Sequence, residues 1–382
     1  MTRPSCKGAI TRCLIAGGGT GGHITPALAL CETLQRRNPQ AQVWYCGRPG
    51  SLEHELVRAH GITYKFVCAA PPAHGLWSAL CCAVMMLVGL VQSIVLIVKC
   101  APQVIIGFGG YTAVPPLLAG LLLRRHVVVH EANVLPGRAV RLLVRAGAQL
   151  AYGIAPRDHE PALVKAWQRL RTRATFTGNP LRESFLEATA EHGRALTGFA
   201  PDAVVLMTLG GSQGSRMLNT CVPDMLRLLL SVAPGLHVIH ITGVADADQV
   251  RKAYQTLRVP HFVVSYSTAI GALFRSATLV IARAGALTVS ELCVCGVPAI
   301  LVPFPHAADN HQEYNARVLS DAGCAVMLRE AGLTPAHMAE AAGALLAAPA
   351  RRAAMRTALQ SMAVPDAAQR LATLLDTCRA TS

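Results

Sequence analysis

The sequence predicts an α/β protein built from two doubly wound, parallel-sheet domains. Strand-length apolar runs alternate with helix-like segments along all 382 residues, which is the pattern of parallel sheets covered by helices. A glycine-rich turn follows an early strand in each half of the chain, GGGTGGH at 17–23 and GGSQGS at 210–215. Two such turns, each opening an α/β half, predict two domains that face each other across a cleft.

The first glycine turn joins a strand to a helix. An apolar run ends at Ala16, the glycines follow, and Thr25 and Pro26 have the residue types of a helix cap and of a first helical position. Glycine permits positive φ and close backbone approach, and a helix N-terminus favours a bound anion. One such loop alone is weak evidence, because a plain βα turn has the same composition.

The rest of the first half continues the alternation. A long apolar segment, 76–98, precedes a strand that runs into a second glycine turn, GFGGY at 107–111, and the strand 127–130 ends in His130 and Glu131. Open α/β sheets bind ligands at the carboxyl ends of their strands, so we expect both side chains in the cleft. The other elements predicted for this half are the strands 43–47, 63–67 and 104–106 and the helix 52–60.

The second half begins after Gly178-Asn179-Pro180, a predicted connector, since proline restricts the residue before it to extended geometry. We assign residues 1–178 to an N-terminal domain and 179–359 to a C-terminal domain, and we expect a helix at about 360–382 to pack back on the first domain. The strands predicted for the second domain are 204–209, 237–241, 262–264, 279–282 and 299–302.

The segment 279–315 is the most informative part of the chain. A strand-like run breaks at Arg283-Ala284-Gly285, a helix-like segment carries Glu291, and a second apolar run opens into a polar loop with Gln312. Backbone N–H groups and the helix dipole at such a turn suit a phosphate. Glu291 can accept hydrogen bonds from a ribose diol, and Gln312 can donate to sugar hydroxyls. These residues predict a nucleotide-sugar site, and the mixed amide and imidazole content of the loop favours a sugar over a metal.

Composition and charge restrict the partners. The net charge is +14, but only 5% of the residues are aromatic and no basic–aromatic stacking motif occurs, so nucleic acid is not expected. An anionic membrane surface or phosphorylated substrates fit the charge. The 13 cysteines form no CxxC pairs, and with no signal peptide ahead of the first strand we expect a reduced, cytoplasmic protein.

Seven motifs stand in order along the chain: GGGTGGH, GFGGY, HEAN, GNPLR, GGSQGS, RAGALTVSE and PFPHAADNHQ. This ordered set resembles the MurG family, the UDP-N-acetylglucosamine transferases of peptidoglycan synthesis, over residues 11–325. The resemblance implies the GT-B fold of two Rossmann-like domains, the first for the lipid acceptor and membrane docking and the second for the UDP-sugar. It implies an inverting transfer of N-acetylglucosamine from UDP-N-acetylglucosamine to the 4-hydroxyl of the N-acetylmuramic acid of lipid I, giving lipid II.

Site roles also follow from the resemblance. It implies that His23, His130 and Glu131 lie where the acceptor hydroxyl is activated, and a base with a pKa near neutrality favours the histidines. One departure from the family is HEAN, in which Ala132 replaces a glutamine; another is Ala282, which replaces a serine. The donor-binding residues that the resemblance implies are Thr20, Gly21, Gly22 and Asn133 near the sugar or pyrophosphate, Arg182 and Ser212 on the uridine or diphosphate, Ser267 by its backbone at the uracil, Ala286, Leu287 and Thr288 on the phosphates, Glu291 on the ribose and Gln312 on the sugar.

The expected partners are small molecules and a membrane. They are UDP-N-acetylglucosamine, polyprenyl-pyrophosphate-linked lipid I and an anionic membrane surface, with other cell-wall synthesis proteins as further candidates. No metal or other cofactor is expected, because helix dipoles and Arg182 would supply the positive field around the phosphates. The expected location is the cytoplasmic face of the inner membrane, as a peripheral protein.

The apolar segment 76–98 is long enough to cross a membrane, with 23 uncharged residues. A single crossing, however, would separate the glycine loop at 17–23 from the loop at 286–312, and both are needed at one UDP-sugar. We therefore expect the segment to lie on the membrane surface, where neighbouring basic residues attract anionic lipid. Part of the segment is expected to belong to the core beneath the first sheet. Those neighbours are Lys65, Lys99, Arg124 and Arg125.

Other classes of function share some of these features. A GT-B enzyme with a different lipid acceptor, or a UDP-sugar epimerase, would share the donor-binding half, and only a test of the acceptor discriminates between them. A membrane or nucleotide-binding protein without catalysis would fit the apolar segment and the basic charge. The presence of His23, Glu291 and Gln312 argues against that last alternative.

Overall fold

A computed structural model of the chain describes residues 9–18, 21–71, 75–156, 161–211 and 213–380. The chain divides into two compact units: unit 1 is Met1–Arg182 with Asp366–Ser382, and unit 2 is Glu183–Pro365. The predicted connector lies with unit 1, because the side-chain amide of Asn179 donates to the carbonyl of Ala132 at 3.1 Å.

Unit 1 contains a seven-stranded parallel sheet in the order β3-β2-β1-β4-β5-β6-β7. The strand order reverses between β1 and β4, and in a doubly wound sheet ligands bind at the carboxyl edge of that switch point. The strands are β1 (Arg12–Ala16), β2 (Gln42–Gly47), β3 (Thr63–Phe66), β4 (Val104–Gly107), β5 (His126–Glu131), β6 (Gln149–Tyr152) and β7 (Ala174–Phe176).

Unit 2 contains a six-stranded parallel sheet in the order β10-β9-β8-β11-β12-β13, with its switch point between β8 and β11. Each sheet has its own buried apolar core. The two parallel, doubly wound sheets confirm the predicted fold class. The strands of unit 2 are β8 (Val204–Leu209), β9 (Leu236–Ile241), β10 (His261–Val264), β11 (Leu279–Ala282), β12 (Ala299–Leu301) and β13 (Ala325–Met327).

Helices cover these sheets. In unit 1 they are α1 (Gly21–Arg37), α2 (Leu52–Ala59), α3 (Leu76–Cys100), α4 (Val114–Leu122), α5 (Arg138–Arg145), α6 (Pro161–Trp167) and, at the end of the chain, α16 (Ala367–Ala380). In unit 2 they are α7 (Glu183–Leu186), α8 (Ala190–Thr197), α9 (Arg216–Leu229), α10 (Ala247–Leu257), α11 (Ile270–Ser276), α12 (Ala286–Cys295), α13 (His311–Ser320), α14 (Pro335–Leu346) and α15 (Pro349–Ser361).

Helix α1 differs from its sequence prediction. It includes Gly21 and Gly22, so the expected start at Thr25 and Pro26 is wrong, and Pro26 lies inside the helix. Proline has no N–H, so the carbonyl four residues earlier lacks its usual helical donor. The apolar side of α1 is buried in the core of unit 1 with Leu371 and Leu375 of α16, and this burial outweighs the lost bond.

Helix α3 is apolar over its whole length and mostly exposed. Its most apolar 18-residue window has a mean hydropathy of 2.6, and only 17% of that window is buried. The buried stripe is Gly89, Ser93 and Ile97, residues one turn apart on one side of the helix. By length and composition α3 could cross a membrane.

Helix α16 returns to unit 1 and is fixed by polar contacts at α1. Asp376 accepts from the backbone N–H of Ile10 at 3.0 Å and from a guanidinium nitrogen of Arg37 at 3.2 Å. Arg37 also donates to the carbonyl of Gln369 at 2.7 Å. Helix α16 therefore packs on α1 and completes the apolar core of unit 1.

We predict that Asp376→Ala lowers the free energy of unfolding of unit 1 by about 1–2 kcal/mol, because it removes two partly buried hydrogen bonds. Urea unfolding measures this change. Asp366→Ala is the matched control, since Asp366, just before α16, forms an exposed ion pair with Arg370 of that helix at 2.9 Å. Equal effects of the two substitutions would contradict the assigned role of Asp376.

Candidate functional site

The N-terminus of α12 in unit 2 is open to an anion. β11 ends at Ala282, and Gly285 is the N-cap residue, with φ −62° and ψ 146° and no side-chain cap. The first helical hydrogen bond runs from the N–H of Val289 to the carbonyl of Gly285 at 3.0 Å. Within the described residues the N–H groups of Leu287 and Thr288 have no acceptor. Uncapped N–H groups together with the helix dipole attract a phosphate.

Glu291 lies on the same face of α12 as Leu287 and Thr288, because residues three and four apart are neighbours on a helix. Its side chain is partly buried, and burial raises the pKa of its carboxyl to about 7. No hydrogen bond or ion pair to Glu291 occurs in the part of the chain that the structure describes. A carboxylate in this position is an acceptor without a donor, one turn from an anion site.

Arg283 holds the strand ends around this helix together. Its guanidinium donates to the hydroxyl of Ser215 at 3.0 Å, to the carbonyls of Val302 and Pro303 at 3.2 and 3.3 Å, and to Glu330 at 2.5 Å. Only 6% of Arg283 is exposed. The carboxyl ends of β8, β11 and β12 are therefore tied through one side chain, a role that the sequence analysis missed.

The side chain of Gln312 is held by a hydrogen bond from the backbone of the loop after β12. The N–H of Phe304 donates to Oε1 of Gln312 at 3.0 Å, which leaves the amide nitrogen of Gln312 as a donor. Glu313 binds Arg329 at 2.8 Å and Arg317 at 2.7 Å, and hydrogen bonds from Arg329 lower the pKa of Glu313 to about 2. The loop is thus built around an ion pair cluster next to Gln312.

A buried polar network supports the glycine turn between β8 and α9. His240 is fully buried between the hydroxyl of Tyr254 at 2.5 Å and the side-chain carbonyl of Asn219 at 3.0 Å. Since that carbonyl only accepts, Nε2 of His240 donates and Nδ1 accepts from Tyr254. Asn219 donates in turn to the carbonyl of Thr242 at 2.9 Å, and a Cβ on Gly214 (φ 79°) would collide with that carbonyl.

Two other donor-site predictions fall in or near the turns of unit 2. The hydroxyl of Ser267 accepts from the N–H of Ala269 at 3.1 Å, so this side chain shapes its own turn. Ser212 lies outside the described residues.

The switch point of unit 1 brings His23 and Gly109 together. His23 lies in the first turn of α1, and its ring approaches Gly109 so closely that a Cβ there would be 3.0 Å from Cε1 and 3.1 Å from Nδ1. Gly109 also has a φ of 86°, which favours glycine. The partly exposed Gly21 and Gly22 precede His23 in the same turn, and Thr20 lies outside the described residues.

The expected exposure of His130 and Glu131 in a cleft is wrong. His130 is 2% exposed, packs against Phe108 and donates from Nε2 to the carbonyl of Gly178 at 3.1 Å. Burial lowers the pKa of His130 to about 4, so it holds a proton poorly at neutral pH. These properties favour a positioning role over that of a base.

Glu131 and Asn133 shape the loop between β5 and α5. Glu131, 7% exposed, accepts from the backbone and side-chain N–H groups of Asn133 at 2.9 and 3.0 Å and from the N–H of Gly137 at 2.9 Å. Both carboxylate oxygens are therefore engaged in fixing the start of α5. A base role for Glu131 would require these bonds to be given up.

Arg182 forms an ion pair inside unit 1. Its Nε and Nη2 lie 3.0 and 2.9 Å from Oε1 of Glu32 on α1, and about a third of each side chain is exposed. Nη1 has no bond to Glu32 in the structure. Any contact of Arg182 with a phosphate would therefore use the N–H groups of Nη1 or the second N–H of Nη2.

Comparisons with known proteins agree with this geometry. The glycosyltransferase family 28 N-terminal domain matches residues 13–151, and the glycosyltransferase family 28 C-terminal domain matches residues 205–371. A UDP-N-acetylglucosamine–N-acetylmuramyl-(pentapeptide) pyrophosphoryl-undecaprenol N-acetylglucosamine transferase of Desulforudis audaxviator is 38% identical, covering 93% of this chain and 95% of its own. The protein of the same name from Symbiobacterium thermophilum is 37% identical, covering 94% of each chain.

Solved structures show the same fold. The crystal structure of Acinetobacter baumannii MurG has a TM-score of 0.73 and 25% identity, covering 96% of this chain and 99% of that one. Anabaena Alr3699/HepE in complex with UDP has a TM-score of 0.63 at 14% identity, which supports the fold alone. From the two domain matches and the relatives above 30% identity, the chain belongs to glycosyltransferase family 28.

Proposed function

We propose that this protein transfers N-acetylglucosamine from UDP-N-acetylglucosamine to the 4-hydroxyl of the N-acetylmuramic acid of lipid I, giving lipid II. The observation that carries the proposal is the uncapped N-terminus of α12 with Glu291 one turn into the helix, an arrangement suited to a diphosphate and its ribose. The reaction itself is that named for the relatives from Desulforudis and Symbiobacterium.

The proposed chemistry follows from these groups. The acceptor hydroxyl attacks C1 of the donor sugar while UDP leaves from the opposite face, which inverts the anomeric centre. Negative charge develops on the β-phosphate, and the fixed N–H groups of Leu287 and Thr288 stabilise it without reorganising. Ala286 opens the same helical turn, and Gln312 keeps an amide nitrogen available for the sugar hydroxyls.

His23 is the proposed base among the three candidates. His130 is a weak base, because burial lowers its pKa to about 4 and its Nε2 is bound to the carbonyl of Gly178. Both oxygens of Glu131 are engaged. His23 lies partly exposed in the first turn of α1, beside the glycine turn after β4. Imidazole is the side-chain group that most often acts as a general base near neutral pH.

Transfer to a different lipid acceptor by the same donor site is the alternative. The decisive experiment is purified protein with labelled UDP-N-acetylglucosamine and a lipid I analogue, followed by detection of the labelled disaccharide. Wild-type protein that binds UDP but forms no disaccharide with lipid I would overturn the acceptor assignment and leave the donor assignment intact.

We also propose that the protein is peripheral at the cytoplasmic face of the inner membrane and docks through α3. Leu80, Leu87 and Val98, each at least 55% exposed, fall on one line of the helix at 100° per residue. On the same helix the side-chain carbonyl of Gln92 accepts from the N–H of Cys68 at 2.8 Å, and the hydroxyl of Ser93 donates to the carbonyl of Gly89 at 2.6 Å. An apolar surface on which these polar groups bond to the protein itself suits lipid, and basic residues flank it.

The donor prediction concerns Glu291. At pH 8, Glu291→Gln should weaken UDP binding by about 10- to 100-fold, the effect of losing charge-assisted hydrogen bonds. Because the pKa of the free carboxyl is raised to about 7, UDP must displace a proton below that pH. The wild-type affinity, relative to that of Glu291→Gln, should therefore fall about tenfold per pH unit below pH 7 and level off above it.

Calorimetry between pH 5.5 and 8.5, in buffers of different ionisation enthalpy, measures both the affinity and the proton released. Dividing by the variant's affinity removes the titration of UDP itself. Glu340→Gln, an exposed glutamate on α14, is the matched control. Unchanged UDP binding by Glu291→Gln at pH 8 would contradict the ribose assignment.

The base prediction concerns His23. His23→Ala should lower kcat by about 10²–10⁴ with nearly unchanged UDP affinity, because a base acts on the acceptor hydroxyl only in the transition state. If His23 instead only shapes the phosphate turn, UDP affinity should fall together with kcat. His192→Ala, an exposed histidine on α8, is the control, and a His23 variant with neither defect would rule out both roles.

The membrane prediction concerns the depth of α3 in lipid. Tryptophans introduced as Leu80→Trp, Leu87→Trp and Val98→Trp, each in a Trp77→Phe background that keeps only Trp44 and Trp167, should report the same depth when brominated lipids quench them. The signal of the Trp77→Phe protein alone is subtracted in each case. A helix on the membrane keeps its middle as shallow as its ends, whereas a crossing helix places its middle at the bilayer centre. A markedly deeper Leu87→Trp would therefore show a crossing and overturn the peripheral assignment.

A further inference from the structure

We propose that Arg48 and Tyr111 form a second anion site, in unit 1, that binds a phosphate group of the lipid-linked acceptor. The proposal rests on the proposed function for the identity of the acceptor. The site itself is argued from the two side chains and the turns that hold them.

Both residues lie at the carboxyl edge of the sheet, at its switch point. Arg48 follows the last residue of β2, and Tyr111 follows β4 after Gly109 and Gly110. In the sheet β1 lies between these two strands, and its own turn begins with Gly17 and Gly18. Ligands of doubly wound sheets bind at this position.

The backbone on both sides of the pair is fixed. The carbonyl of Arg48 accepts from the hydroxyls of Ser51 at 2.8 Å and Tyr64 at 2.9 Å. Gly110 has a φ of 75°, and a Cβ on it would collide with the carbonyl of Gly18. Tyr111 is therefore presented by a turn that packs directly on the glycine turn after β1.

The hydrogen-bond chemistry of the pair leaves donors for a ligand. Nη1 of Arg48 donates to the hydroxyl of Tyr111 at 2.6 Å. A guanidinium has no acceptor, so the tyrosine oxygen accepts and its own hydrogen is directed elsewhere. Among the described residues, neither that hydrogen nor the other N–H groups of Arg48 have an acceptor side chain.

The charge of Arg48 is likewise uncompensated by an ion pair within the described residues. The carboxylate of Glu53, which lies beneath the glycine turn after β1, is buried, and its Oε1 would lie 2.5 Å from a Cβ on Gly18. A planar guanidinium beside a hydroxyl donor matches the oxygens of a phosphate.

The acceptor, rather than the donor, is the source of this phosphate. Unit 2 already offers an uncapped helix N-terminus and a ribose-binding carboxylate for the nucleotide diphosphate. The proposed reaction has two substrates that carry a pyrophosphate, and each needs its own set of donors. Arg48 and Tyr111 provide the second set.

Kinetics on the full chain test the assignment. Arg48→Ala should raise KM for lipid I by about 10- to 100-fold, the effect of a lost charge-assisted fork, with KM for UDP-N-acetylglucosamine and the Kd for UDP unchanged. Arg48→Lys should recover part of the loss, and Tyr111→Phe should show a smaller one. Arg58→Ala, an exposed arginine on α2, is the control for net charge.

A truncated acceptor identifies the source of the anion. On a soluble N-acetylmuramyl-pentapeptide glycoside without the pyrophosphate, Arg48→Ala and wild type should have equal kcat/KM. A persistent defect on this acceptor would mean that Arg48 binds a carboxylate of the peptide, and a raised Kd for UDP would assign Arg48 to the donor. Either result overturns the proposal.

Direct binding tests the site without catalysis. Inorganic pyrophosphate titrated into UDP-saturated protein should bind wild type and Arg58→Ala alike and lose about tenfold or more in affinity with Arg48→Ala. Equal binding by all three proteins would remove the site even if lipid II is formed. Failure of wild type to form lipid II, with pyrophosphate binding intact, would instead refute only the acceptor's identity.

Discussion

Unit 2 of this protein depends on one buried arginine. Arg283 donates to Ser215 at the start of α9, to two carbonyls after β12 and to Glu330 beyond β13. A buried guanidinium is costly unless its donors are satisfied, so each of these groups must stay in place for Arg283 to remain inside. This requirement fixes the edge of the sheet from which α12 starts and therefore the position of its open N-terminus.

Unit 1 achieves comparable rigidity by close backbone approach instead of by a buried charge. The turns after β1 and β4 touch where Gly110 meets the carbonyl of Gly18, and His23 lies against Gly109. No side chain larger than hydrogen fits at these glycines, which ties the first turn of α1 to the loop after β4. The position of His23 therefore follows from contacts of the glycine turns after β1 and β4.

Sequence patterns predicted the fold well because parallel strands buried on both faces are continuous apolar runs. The predicted strands 43–47, 104–106 and 279–282 agree with β2, β4 and β11, whereas β13, with three residues, is too short to show a period. The site was less predictable. Arg283 finds its partners 19 to 68 residues away, and His130 is buried by Gly178, 48 residues away. Glu131 was the avoidable error, since its partners Asn133 and Gly137 lie within six residues.

Glu291 in unit 2 and Arg48 in unit 1 both lack an ionic partner within the described structure, and both lie near a switch point. Glu291 is a partly buried carboxylate near an anion site, and Arg48 is a guanidinium held only by a tyrosine hydroxyl. The charge on each side chain is less well stabilised in the free protein than it would be beside a group of opposite charge. In contrast, Arg283 pairs with Glu330 and Glu313 pairs with Arg329, each within unit 2. Unpaired groups at two switch points are best explained by preorganisation, because a ligand that supplies the missing partner gains the interaction without rearranging the protein.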